Sequence, residues 1–312
     1  SPVIHRELKS NQRTWRMENE HNNSKLIHLS RVLEKRNQQR CRKGGKSQAR
    51  IISVTSGKGG VGKTNVVINL GLALKRLHKR VLILDADLGL GNLDVLLGLA
   101  PKYNLSHVLQ GIKTMEEIIV NGPEGVMILP ASNGIQEMAH LTGTQRFHLI
   151  SELDKMLQTN DVLLIDTASG ISSDVTYFNV KAQEILLVVT PEPTSITDAY
   201  ALIKVLSLKY RAKQFNVVVN KACNMHEAED VFRQLHMVTD KFLSISLHYM
   251  GAILFDEQVL KSARRQRILM EMYPNSPGAR CYTALAKRMS IAAPLAVGTC
   301  GAGPFWTHFR SE

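Results

Sequence analysis

The stretch Gly57-Lys58-Gly59-Gly60-Val61-Gly62-Lys63-Thr64 fits the pattern G-x-x-x-x-G-K-[ST] of a phosphate-binding loop. Its flanks suit that reading. Ile51, Ile52, Val54 and Thr55 ahead of it form a β-branched run that predicts a buried strand. Behind it, over 64–77, Val67, Leu70, Leu74 and Leu77 recur at helical spacing. A strand, a glycine-rich turn and a helix aim a row of backbone N–H groups and a helix N-terminus at one point, which suits a polyphosphate. Gly57, Gly59, Gly60, Val61 and Gly62 form the cradle, where the glycines allow close backbone approach. Lys63 supplies a point charge for the β- and γ-phosphates, and the Thr64 hydroxyl is placed to hold Mg²⁺. Lys58 is not required by the pattern; taken by itself it reads as a solvated surface lysine.

Moving outward, Val81 to Leu84 form a second apolar run ending in Asp85-Ala86-Asp87-Leu88-Gly89-Leu90-Gly91. Carboxylates at the carboxyl end of a strand beside a phosphate loop belong near a metal and the attacking water. The two glycines make the segment a switch-loop candidate. Residues 105–110 and 114–120 predict short helices, 126–129 a strand and 144–158 a helix. The run 161–166 is an apolar strand closing in Asp166, the Walker B position, whose aspartate bonds the metal's water shell. Thr167-Ala168-Ser169-Gly170 is a second switch candidate. Strand 184–190 leads into Pro191-Glu192-Pro193-Thr194, followed by a helix over 195–212. Strand 215–220 ends in Asn220, which reads either as a reader of a base edge or as an ordinary turn asparagine. Helix 227–242 and strand 247–254 complete the alternation. The fold class is therefore α/β, a mostly parallel sheet with helices on both faces.

Composition narrows the rest. The chain has 312 residues, 44% of them apolar, enough for one large core. It holds no run of eighteen apolar residues and no N-terminal signal segment, so a cytoplasmic protein is expected. Cys41, Cys223, Cys281 and Cys300 are scattered with no C-x-x-C, which argues against an iron–sulfur or zinc site and for spare buried thiols. Residues 1–50 carry 13 Lys/Arg against 4 Asp/Glu; the other 262 carry 26 against 23. The net charge of +12 is thus a property of the extension and no argument for nucleic acid. Three regions follow: a basic, largely flexible extension over 1–49, a nucleotide-binding domain over 50–289, and a tail over 290–312. Within the extension, Leu26, Leu29, Val32 and Leu33 give a short amphipathic helix over 24–36, either a frayed terminus or a docking element.

The two-lysine loop, Asp85-Ala86-Asp87 and Asp166 resemble the MinD/ParA ATPases, a deviant Walker A branch of the P-loop NTPases. The stretches D-A-D-L-G-L-G-N-L-D-V-L-L-G-L at 85–99, L-S-H-V-L-Q-G at 105–111, L-P-A-S-N-G-I-Q-E-M-A at 129–139 and M-Y-P-N-S-P-G-A-R at 272–280 are more similar to the flagellar number and placement ATPases (FlhG, FleN or YlxH) than to the division-site proteins. The resemblance covers roughly 50–290. It implies ATP and Mg²⁺ as cofactors, slow hydrolysis, and a homodimer that closes on ATP and opens on hydrolysis. Carried over, Lys58 reaches the partner subunit's phosphates, Lys63 and Thr64 hold phosphate and Mg²⁺, and Asp87 orients the attacking water. Asp166 supports the metal, Asn220 meets adenine and Glu192 touches the partner's nucleotide. The resemblance also implies partners: a signal-recognition-type flagellar GTPase, flagellar switch proteins or a flagellar transcription regulator, and peripheral membrane contact. Nucleic acid is not expected.

Two stretches depart from the family's pattern. The GTPase-stimulating helix of this branch carries a D-Q pair, whereas here it reads Ser24-Lys25-Leu26-Ile27-His28-Leu29. The membrane-binding helix at the family's C-terminus is replaced by a stretch with Pro294, Pro304 and several glycines, which forbid a long helix. Phe305, Trp306 and Phe309 remain as interfacial anchors, or as parts of a loose tail. Lys261, Arg264, Arg265 and Arg267 are expected on one helix, either as a solvated face or as a contact for anionic lipid or DNA.

Overall fold

The structure is a computed structural model that describes residues 49–87, 91, 93–130 and 152–291. The extension with its expected helix over 24–36, Gly89 and Asn92 of the first switch, most of the helix over 144–158, and the tail aromatics lie outside the described residues.

Among the described residues eight strands form one sheet: β1 (Arg50–Ser56), β2 (Val81–Ala86), β3 (Val120–Asn121), β4 (Met127–Leu129), β5 (Val162–Ser169), β6 (Glu184–Val189), β7 (Gln214–Ala222) and β8 (Ser246–Leu254). Their order is β3-β4-β2-β5-β1-β6-β7-β8. Every neighbouring pair is parallel except β3–β4, which is antiparallel at the edge. β2 and β6 are buried at every position, as a sheet covered on both faces demands.

Successive side chains of a strand point to opposite faces, and β6 shows the result. Its Leu186 and Val188 join the core beneath α1 (Lys63–Arg76), α9 (Leu269–Met272) and α10 (Pro277–Ile291), together with Tyr282 and Met289. Its Ile185, Leu187 and Val189 join the opposite core beneath α5 (Ser173–Lys181), α6 (Pro193–Tyr210) and α7 (Met225–Phe242). The numbering leaves α2 (Leu93–Leu97), α3 (Leu105–Leu109), α4 (Met115–Ile118) and α8 (Glu257–Arg264) as shorter pieces, and residues 152–159 are helical as well.

At the amino edge of the sheet, the Arg50 guanidinium pairs with both carboxylate oxygens of Glu184 and donates to the Met289 carbonyl in the last helix. Asn216 Nδ2 donates to the same carboxylate at 3.2 Å. Glu184 is 2% exposed, so this charge is taken out of water and fully engaged.

Several expectations shift. The helix expected over 114–120 is α4, closed at its start by a Thr114–Glu117 capping box. Val120 instead leaves it to pair with Ile128 in the sheet. The expected strand 161–166 runs on to Ser169, so the second switch candidate is largely strand. Thr167 is fully buried and its hydroxyl donates to the Val54 carbonyl at 3.1 Å. The basic cluster is divided: α8 ends at Arg264, Arg265 caps it, and Arg267 lies beyond, paired with Glu271 at 2.7 Å. Cys281 is buried, but Cys223 is exposed, contrary to the reading of the cysteines as buried. The helix over 277–291 escaped the sequence reading because Pro277 and Gly278 look like a breaker. Pro277 is in fact the helix's first residue, a tolerated place for proline. At Gly278 an added Cβ would lie 2.9 Å from Leu269 Cδ2, so that side chain would have to move aside.

Candidate active site

The carboxyl ends of the parallel strands converge on the loop over 57–62, where ligands of open α/β sheets bind. α1 starts at Lys63, and no side chain caps it; Gly62 occupies the N-cap position with φ 89°. Helix starts leave N–H groups without intrahelical partners, and here they follow directly on the loop. Gly60 also has a positive φ, 76°, with open space where a side chain would go. At Gly57 a Cβ would lie 2.2 Å from the carbonyl carbon and oxygen of Asp198 in α6. The loop is thus wedged against a helix backbone on one flank and open on the other, a cradle suited to phosphate groups.

Lys63 is 9% exposed and its ammonium lies 3.1 Å from Asp166 Oδ1. The Thr64 hydroxyl beside the same carboxylate helps to hold its pKa down. Burial pushes the Asp166 carboxyl above its ordinary range against the pull of Lys63 and Thr64, and the Asp87 charge adds to the push. Asp85, directly across the β2–β5 ladder from Asp166, is 2% exposed. Burial, with the Asp166 charge second, raises its pKa to about 7 although it accepts N–H groups from Asp87 at 3.2 Å and Leu93 at 3.4 Å. More carboxylate than cation is therefore gathered here. An oxygen-only set of Thr64 and acidic groups fits Mg²⁺. Among the described residues no three Asp, Glu, His or Cys side chains form a complete cage.

The raised Asp85 has a measurable consequence. Folded protein keeps this proton up to about pH 7, whereas the unfolded chain releases it near 3.8. Its contribution to stability is full below the lower value and is lost as pH rises through the upper one. In protein stripped of nucleotide and divalent cation by chelator, urea-unfolding stability of Asp85→Asn should decline less between pH 4 and pH 7 than that of wild type. Equal slopes would refute this assignment.

The other predicted residues divide. Lys58 Nζ donates to Glu192 Oε2 at 2.5 Å and to Thr194 Oγ1 at 2.7 Å, both on the loop entering α6. The Lys58 hydrogen bond holds the Glu192 carboxyl below its ordinary range. The structure therefore brings these two together within one subunit. Asn220, 5% exposed, donates from Nδ2 to the Val61 carbonyl at 2.7 Å, so it braces the phosphate loop directly. Gly59 lies beside Ser169. Thr194, Asp198 and Lys221 were not anticipated. Thr194 stood in the proline-rich turn, and Lys221 immediately follows Asn220 at a strand's carboxyl end, the one available signal.

Fold and loop together define a P-loop NTPase. Residues 47–290 match the ParA family, described as NUBPL iron-transfer P-loop NTPase. The chain is 46% identical over 246 residues to the antiactivator FleN of Pseudomonas aeruginosa, covering 79% of this chain and 88% of FleN. It is 32% identical over 231 residues to the flagellum site-determining protein YlxH of Helicobacter pylori, covering 74% and 78%. The septum site-determining protein MinD of Pyrococcus horikoshii, solved with Mg-ADP, superposes with a TM-score of 0.61 at 25% identity, covering 78% of this chain and 96% of that one. The chain belongs to the MinD/ParA family of P-loop ATPases, in its flagellar-regulator branch.

Proposed function

We propose that this chain is a slow, ATP-dependent, dimerising Mg-ATPase switch that regulates flagellar number and placement. The observation carrying the reading is the 46% identity to FleN across 88% of that protein's length. The two-lysine loop, with Lys63 set against Asp166, supports the chemistry.

In this reading the loop glycines and the start of α1 hold the phosphates, and Lys63 stands against the β- and γ-phosphate oxygens. Thr64 would hold the metal, Asp166 would support it through its water shell, and Asp87 would orient the attacking water. When bound, Mg²⁺ neutralises charge on the transferring phosphoryl group. Catalysis is then mostly positioning and charge stabilisation. Lys58 changes allegiance: it leaves Glu192 and Thr194 of its own subunit and serves the nucleotide of the partner. Slow turnover times how long the dimer holds its partners, a flagellar GTPase, switch proteins or a transcription regulator. The reading places the protein in the cytoplasm with peripheral membrane contact; among the described residues no helix is long and apolar enough to cross a membrane. An iron-carrying role finds no C-x-x-C pair in the sequence.

A deletion strain complemented with wild type should regain normal flagellar number and position, and one complemented with Lys58→Ala should not. The purified Lys58→Ala variant should stay monomeric with ATP by light scattering while still binding it. Full ATP-dependent dimerisation by that variant would disprove the sandwich mechanism. Normal flagella with misplaced septa or lost chromosomes in the deletion strain would move the protein to a division-site or partitioning role.

A further inference from the structure

On the α5 side of the sheet, three polar side chains stand in an otherwise apolar core. Ser53 and Thr55 of β1 are fully buried, and Asn179 of α5 is 1% exposed. The ladder neighbours of the two β1 residues on β6 are Ile185 and Leu187, which belong to that core. The Asn179 amide is fully used. The Val175 carbonyl can only accept, so the amide nitrogen faces it. Nδ2 donates there at 2.7 Å and to Thr55 Oγ1 at 3.1 Å. Oδ1 accepts from the Ser53 hydroxyl at 2.8 Å. A satisfied buried network contributes little more stability than apolar side chains of the same shape, so its reason lies elsewhere.

The place of the network supplies that reason. β1 ends at Ser56, and Gly57 opens the phosphate loop directly after it. α5 begins at Ser173, just after Gly170 closes the second switch candidate. Loop and switch also meet at their ligand-side ends. Gly170 N donates to the Ser56 carbonyl at 2.9 Å, and the Ser56 hydroxyl donates to the Lys58 carbonyl at 2.9 Å. Ser169 Oγ lies 3.4 Å from where a Cβ on Gly59 would stand. Hydrogen bonds are directional, whereas apolar contacts are not. Ser53 and Thr55 are alternate residues on one face of β1, so one amide that bonds both is held along the strand as well as against it. Asn179 thereby fixes the height of α5 on β1, and with it the second switch relative to the loop.

We propose that Asn179 is a positioning residue for ATP hydrolysis: through Ser53 and Thr55 it sets the second switch against the phosphate loop. The inference rests on the ATPase reading and adds to it a buried residue that acts through the loop and the switch. Misplacement of a reacting centre costs rate more than it costs binding.

The test removes the network from the full chain without leaving orphaned groups. Asn179→Leu keeps the branching of the side chain but leaves the Ser53 and Thr55 hydroxyls against an apolar group, and it should lose stability and turnover together. The triple variant Ser53→Ala, Thr55→Val, Asn179→Leu replaces every member by an apolar group, so its urea-unfolding midpoint should return close to that of wild type. Its phosphate release from ATP and Mg²⁺ in a single turnover should nevertheless stay about tenfold or more slower, with an ATP dissociation constant near that of wild type. Its Gly170 amide should exchange with solvent faster than in wild type, while the amides of β5 and β6 keep their protection. A triple variant with wild-type turnover would overturn the proposal and leave the network a folding device, with the ATPase reading intact. A triple variant that does not fold, or that loses ATP binding as much as turnover, would overturn it as well. Unchanged Gly170 exchange in a slow triple variant would do the same, since the loss would then not run through the second switch. Wild-type protein that binds ATP with Mg²⁺ but does not hydrolyse it would remove the ATPase reading itself.

Discussion

Gly57→Ala is expected to abolish nucleotide binding and to destabilise the domain by about 3 kcal/mol, the upper part of the overpacking range. The added Cβ would stand 2.2 Å from the Asp198 carbonyl carbon and oxygen and 2.6 Å from the Ala199 nitrogen. These are backbone atoms of α6, and no rotamer change can move them aside. Either the helix shifts away from the sheet or the loop lifts off the helix, and each outcome breaks the cradle. The control is Gly59→Ala, whose Cβ meets only Ser169 Oγ at 3.4 Å, an ordinary contact. Urea unfolding of the two variants should differ by most of the predicted amount; matching midpoints would show that α6 yields freely.

The second large effect separates holding the nucleotide from hydrolysing it. Lys63→Ala removes the cation set against buried Asp166, and should lose both ATP binding and turnover. Asp87→Ala should still bind ATP with Mg²⁺ but hydrolyse it at least about 10²-fold more slowly, the effect of removing a group that positions the attacking water. Single-turnover phosphate release together with equilibrium binding resolves the two cases. An Asp87→Ala enzyme with near-normal turnover would return the water-orienting role to another group, and Asp85 would be the first to examine.

Much of this was legible in the sequence because the elements that matter are local. The β-branched run, the glycine loop and the helical spacing after it occupy about two dozen consecutive residues, and each reports its own conformation. Burial of the parallel strands was equally readable from unbroken apolar runs such as Val81–Leu84 and Ile185–Val189. What escaped depends on distant residues meeting. Nothing near Gly57 says that Asp198 will lie against it. Nothing near Lys58 says that Glu192 and Thr194 will receive its ammonium inside one subunit. Val120 reads as the end of a helix because its neighbours are helical; its pairing with Ile128 overrides that local preference. Lys221, at a shift in the β7–β8 register, meets the Gly60 carbonyl of a loop 161 residues away.

Arg50 joins β1, β6 and α10. The ends of a folded domain are ordinarily where it opens first, because terminal turns and strand tips have neighbours on one side only. In this domain the first strand and the final turns of α10 clasp each other through one guanidinium. Neither can peel away without exposing the buried Glu184 charge to a site that no longer neutralises it. Amide protons at the start of β1 and near Met289 should therefore exchange with solvent on the timescale of the central strands. The domain behaves less like a strip with two loose ends than like a belt fastened by a buckle, and the fastening lies at the amino ends of the strands, opposite the phosphate loop.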